Sequence, residues 1–283
     1  MKSFYLILAT CLAAPLVGCS HQSMQKIISA NTHQTTMALV PAGPFVQGSD
    51  RQEREYAYRL DEARGSHAAR QYQWFENESR QTVTLPAFLI DLLPVTQYNY
   101  LQFVQATGYP PPRVTEKVWK GFGLAHSYDE VRRFLWQKNK PPHQREQHPV
   151  VLVSHQDAEA YCLWLGKRLP TAAEWEKAAR GTEGRYFPWG DQFDARYLNS
   201  QDKGPYDTEP VGQHPEGKSP YGVLDMAGQV FEWTATPCPD DRFVVKGGSW
   251  DDFPGVTRSA AWHCRPAALR HILIGFRCAK EAT

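Results

Sequence analysis

Residues 151–181 read VLVSHQDAEAYCLWLGKRLPTAAEWEKAARG, and two helix starts are written into them. Ser154 with Asp157 three positions on has the form of a capping box, in which each side chain accepts from the other residue's backbone N–H at a helix start. Ala158, Tyr161 and Leu165 then recur at helical spacing, and Gly166 supplies a stop. Thr171 and Glu174 repeat the signal, with Trp175, Ala178 and Ala179 on one apolar face before Gly181. Pro170 keeps the two helices apart, because a proline inside a helix removes a backbone donor and clashes with the preceding turn. Upstream, a third helix is predicted over about 96–107, with Tyr100, Phe103 and Val104 as its buried stripe and Gly108 past its end.

Outward from this stretch, the chain reads as one domain. Its 283 residues suffice for one sizeable core, and no Pro/Gly/Ser linker or internal repeat divides them. Lys2, an apolar run from Phe4 to Val17 and Leu16-Val17-Gly18-Cys19 have the layout of a secretory signal, too short to span a bilayer stably. The expected organisation is a signal peptide over 1–18, a polar tether over 19–36 and a domain over 37–283. Loss of the signal removes Lys2 and no acid, leaving basic and acidic residues equal in number. Nothing in that balance suits a nucleic-acid partner. An exported chain permits disulfides, and Cys162, Cys238, Cys264 and Cys278 remain beyond Cys19.

Further blocks surround the helices: Met37 to Ser49, Ile90-Asp91 through Gly108-Tyr109, His148-Pro149-Val150, Phe187-Pro188-Trp189-Gly190-Asp191, Pro210-Val211-Gly212, Tyr221 to Gly228 and Phe231-Glu232-Trp233. Lys246-Gly247-Gly248-Ser249-Trp250-Asp251-Asp252 and Gly275-Phe276-Arg277-Cys278 close the chain. Together with 151–181 they resemble the formylglycine-generating enzyme superfamily, in that family's order. The resemblance implies an α+β, C-type-lectin-like fold, loop-rich with little regular secondary structure. It also implies a Cys162–Cys278 bridge, which leaves Cys238 and Cys264 as candidates for a second bridge or for a reactive thiol. Leu-Val-Gly-Cys resembles a bacterial lipobox, which would place a lipid on Cys19 and attach the chain to the outer membrane; ordinary cleavage nearby is the alternative.

The departure from the family lies near the carboxy terminus. Its two copper-binding cysteines fall here near Asp252 and Thr257, so no copper is expected. Asp251 and Asp252, beside Ser249 and Trp250, are candidate general bases, since a desolvated carboxyl with an acidic neighbour titrates near neutrality. Alternatively they organise the turn through local hydrogen bonds. Glu232 is a third candidate base, while Trp262, His263 and Arg265 complete the expected cleft. The family binds structural calcium through loop oxygens, which maps onto Gln229, Val230 and Glu232 in one set and Asn199 in another. No His-Glu-x-x-His pair, glycine-rich phosphate loop or dinucleotide fingerprint is present.

Among exported members lacking the copper cysteines, the resemblance implies a periplasmic oxidoreductase of siderophore maturation that oxidises dihydropyoverdine to pyoverdine. Its small-molecule or siderophore-peptide substrate would stack a flat bicyclic ring between Trp250 and Trp262. No electron acceptor is visible; molecular oxygen is the expectation. The competing reading is a non-catalytic periplasmic scaffold lipoprotein, for example a type VI secretion regulator. Residues 51–80, charged and aromatic, are expected to form a solvated helix or, alternatively, a lid. The variable stretch 110–149 is expected to shape the cleft.

Overall fold

A computed structural model describes residues 36–282; the predicted signal, Cys19 and nearly all of the tether lie outside the described residues. In chain order the elements are β1 (Met37–Val40), β2 (Gly43–Gln47), α1 (Arg51–Glu62), α2 (Ala68–Gln71), β3 (Gln81–Leu85), β4 (Phe88–Asp91), α3 (Gln97–Thr107), α4 (Glu116–Gly121), α5 (Tyr128–Val131), α6 (His155–Trp164) and α7 (Ala172–Arg180). They continue as β5 (Phe231–Cys238), β6 (Arg242–Lys246), β7 (Trp262–Pro266), β8 (Ile274–Gly275) and β9 (Ala279–Glu281). Between them run long irregular segments, so the architecture is the expected loop-rich α+β fold.

The capping signals act as read. Ser154 with Asp157 and Thr171 with Glu174 form complete boxes at α6 and α7. Thr96 caps α3 with Asn99 closing a third box, and Gly108 ends that helix in a left-handed conformation at φ 72°. Aromatic faces of α3 and α6 then meet. Tyr100 stacks on Tyr161 at 5.6 Å, and Phe276 meets both rings edge-on.

A four-stranded sheet runs in the order β7-β6-β5-β8, with β7 at an edge. α7 packs against β5 and β6, and its Trp175 is fully buried. Cys162–Cys278 joins α6 to the residue just before β9, and Cys238–Cys264 joins the end of β5 to β7. All four described cysteines are therefore disulfide-bonded, which rules out the reactive-thiol alternative for Cys238 and Cys264.

Residues 51–80 depart from the solvated-helix expectation. α1 turns Glu53, Ala57, Tyr58 and Asp61 inward. Glu53 accepts from Arg180 at 2.9 Å and Arg258 at 2.8 Å, and Arg258 also donates to Glu78 at 3.0 Å. Arg180 reaches Glu176, which Lys246 holds at 2.9 Å. Three acids and three bases thus form one buried network. Burial of a charge is tolerable only with such pairing, so the inward-facing charges of α1 are anchors rather than a solvated surface. Asp61 accepts from Gly255 N at 2.7 Å, and a Cβ on Gly255 would lie 2.6 Å from Asp61 Oδ2 and 2.9 Å from Phe75 Cζ. The insert is thereby clamped onto the loop that follows Asp252.

Candidate functional site

The loop from Gly247 to Arg258 is shaped by a close approach. Gly248 has φ 71°, and a Cβ there would lie 2.9 Å from Thr257 Cγ2. Ser249 and Asp252 are consequently turned toward each other, and the Ser249 hydroxyl is hydrogen-bonded to the Asp252 carboxyl. Burial, with the neighbouring Asp251 charge adding to it, pushes the Asp252 carboxyl up to about 7, against the opposing pull of Ser249 and Arg265. Thr257, at the other place where relatives carry a copper cysteine, is fully buried and donates to Pro254 O at 3.0 Å.

Asp251 points elsewhere. Its Oδ2 lies 3.0 Å from His126 Nε2, while His126 Nδ1 is 3.5 Å from Glu130. The hydrogen bond to Asp251 raises the His126 pKa against the effect of burial. Burial alone would raise Asp251, but hydrogen bonds from His126 and Tyr206 outweigh it and hold the carboxyl below its usual range. The His126 ring thus sits between the carboxylates of Asp251 and Glu130. His271, 6.0 Å from His126 between ring centroids, is pushed down to about 3 by burial and stays neutral.

Strand alternation divides the remaining candidates. His263 and Arg265 occupy one face of β7, whereas Trp262 and Cys264 occupy the other. His263 meets Trp74 edge-on at 5.8 Å and Phe231 at 5.7 Å; burial, reinforced by Arg265, drives it down to about 3. Arg265 and Asp252 interact electrostatically across the site. Trp262 instead lines a separate cavity of about 350 Å³ with Gln47, Asn77, Gln81 and Thr236.

Two expectations about side chains need correction. Trp250 cannot offer a stacking face: it is fully buried, stacked on Phe134 at 6.3 Å and flanked by Tyr206 at 5.2 Å and His126 at 5.6 Å. Trp250 and Trp262 therefore do not sandwich a ring. Glu232 is not placed to take a proton, because Arg277 donates to both of its oxygens at 2.7 Å and Trp175 Nε1 to one of them at 2.8 Å.

The same pairing opposes the first calcium set. Both Glu232 oxygens are taken by Arg277, and the Gln229 Oε1 already accepts from Asn199 and Glu209. In the second set, Asn199 Oδ1 is buried without a hydrogen-bond partner, as is Ser200 Oγ. The acids downstream are nevertheless neutralised, Asp202 by Arg64 and Asp207 by Arg145. Calcium sites need carboxylate charge as well as neutral oxygens, so these donors do not fit the ion. Addition of excess EDTA is expected to leave the melting temperature unchanged; a fall reversed by calcium alone would overturn this assignment.

His126, Tyr206 and His271 were not singled out by sequence reasoning, and Trp74 only as part of the charged and aromatic stretch 51–80. Only the expectation that 110–149 shapes the cleft pointed toward His126.

The chain belongs to the sulfatase-modifying factor enzyme 1-like family, whose model matches residues 24–282. It is 31% identical to hercynine oxygenase of Mycolicibacterium smegmatis over 86% of this chain and 61% of that protein. It is 29% identical to the mouse protein described as inactive C-alpha-formylglycine-generating enzyme 2, over 92% of this chain and 90% of that one. The fold also matches the structure of PvdO from Pseudomonas aeruginosa, with a TM-score of 0.66, 24% identity and coverage of 89% of this chain and 96% of that one. The chain thus spans less than two thirds of the mycobacterial oxygenase. Copper-dependent chemistry of the formylglycine-generating kind has no ligands among the described residues, since Asp252 and Thr257 replace the thiolates and every described cysteine is bridged.

Proposed function

We propose that this chain is a periplasmic oxidoreductase that oxidises dihydropyoverdine to pyoverdine. The observation that carries the reading is the succession in one loop of Asp251, whose Oδ2 lies 3.0 Å from His126 Nε2, and Asp252, whose carboxyl burial pushes up to about 7. Such groups suit proton removal from a ring that loses two electrons. Asp252 takes one proton and the Asp251–His126 pair guides the other to solvent. The two electrons pass to dioxygen, which with two protons becomes hydrogen peroxide. Kinship with an oxygenase supports the redox class.

A second reading has its own support, because another relative that matches over nine tenths of its length is described as inactive. Here the domain is a tethered scaffold, held at the outer membrane through Cys19. Purified mature protein incubated with dihydropyoverdine in air separates the two. The oxidoreductase reading expects faster appearance of the oxidised chromophore with stoichiometric peroxide, and a reduction of about tenfold to a hundredfold in His126→Gln. No acceleration over buffer would sink it and leave the scaffold.

A further inference from the structure

Arg265 lies half-buried on β7 and makes no ion pair among the described residues. Its one hydrogen bond runs from Nη1 to the carbonyl of Cys264 beside it, at 3.3 Å. Asp252 acts on its charge electrostatically, but no carboxylate closes an ion pair with it. Asp251 is committed to His126, Asp252 is tied to Ser249, and Arg242 adds further positive potential. On the same face, Trp74 projects from the insert against the His263 ring while remaining 38% exposed. Phe75 beside it is buried over Arg258, with the guanidinium 4.5 Å from the ring centroid, so Trp74 stands on a fixed base.

We infer that this face of β7 is a subsite for a flat aromatic carboxylate, with Arg265 gripping the carboxylate and Trp74 lying against the ring. A guanidinium presents a planar fork that matches a carboxylate with two hydrogen bonds, and the pair strengthens where water is partly excluded. Aromatic contact with Trp74 supplies ring selectivity without demanding a particular substituent pattern. The neutral His263 edge neither repels the anion nor competes for it. Calling this the substrate subsite rests on the oxidoreductase reading; the binding chemistry itself does not.

Calorimetric titration of the mature chain with quinoline-2-carboxylate and its uncharged analogue quinoline-2-carboxamide tests the subsite without turnover. The carboxylate is expected to bind about tenfold more tightly than the amide. Arg265→Met should remove that preference while leaving amide affinity intact, and Arg265→Lys should keep only part of it. Trp74→Ala should weaken both probes by the same factor, about fivefold. Equal affinities in the unaltered protein, no binding of either probe, or a preference that survives Arg265→Met would overturn the inference. A chain that binds as expected yet fails to turn over dihydropyoverdine would refute the proposed reaction and leave the subsite standing.

Discussion

Asp252→Asn is expected to lower the oxidation rate by about a hundredfold to a thousandfold and, at pH 8, to make the protein more stable. Both effects arise from the same burial. An Asp carboxyl titrates near 3.8 when unfolded, and here it titrates at about 7. Between those values the folded chain holds a proton that the unfolded chain has released, so stability is lost as pH rises through this window. Above 7 the ionised group costs the fold at most on the order of 4 kcal/mol, reduced by whatever water reaches it. Asparagine keeps the shape and an acceptor for the Ser249 hydroxyl, but carries no charge. Melting curves from pH 4 to 8 should therefore separate progressively between variant and parent, while activity of the parent climbs through pH 7 as the base ionises. Coincident melting curves at every pH would mean that Asp252 is not held in its neutral form.

Arg258→Met should be the most damaging single change to the fold. Arg258 is fully buried and donates to Glu53, Glu78 and the carbonyl of Gly255. Removing it leaves Glu78 buried without a cationic partner and Glu53 with Arg180 alone, and breaking a buried pair in this way typically costs about 3 to 5 kcal/mol. In a domain of this size that corresponds to a drop of about 10 °C in melting temperature. Limited proteolysis should then cut first within 63–80, because the insert loses its grip on the loop at Gly255. Arg70→Ala gives the contrast. Its partners Glu55 and Glu62 are solvent-exposed ion pairs, so the change should cost less than about 1 kcal/mol. Similar losses in the two variants would mean that the buried network is not what secures the insert.

The parts of this molecule that were legible in sequence are those whose physics is local. Ser154 and Thr171 announce helices because a cap needs only residues three positions apart. The family resemblance supplied the Cys162–Cys278 pairing, which spacing alone does not fix. What escaped was decided across distance. His126 meets Asp251 over 125 positions, with no local pattern to mark either as a partner. Glu232 resembled a free acid until Arg277, 45 positions away, took both oxygens. Trp250 next to two acids suggested a cleft wall, yet Phe134 and Tyr206 from other segments cover it. One signal was present and unused. Trp262-His263-Cys264-Arg265 is a strand, and its period of two already assigns Trp262 to the face opposite His263 and Arg265.

The three-stranded sheet has a consequence for biosynthesis. β4 is its middle strand, with β1 on one side and β9, nearly 190 positions later in the sequence, on the other. The residues just before β9 bring Arg277 to Glu232 and Cys278 to Cys162. Every residue up to about 281 must be delivered before these pairings can close, so vectorial emergence cannot complete the domain piece by piece. Until the last segment arrives, the earlier part is a client for holding factors, and a nascent chain stalled before residue 274 has no finished core to hide in.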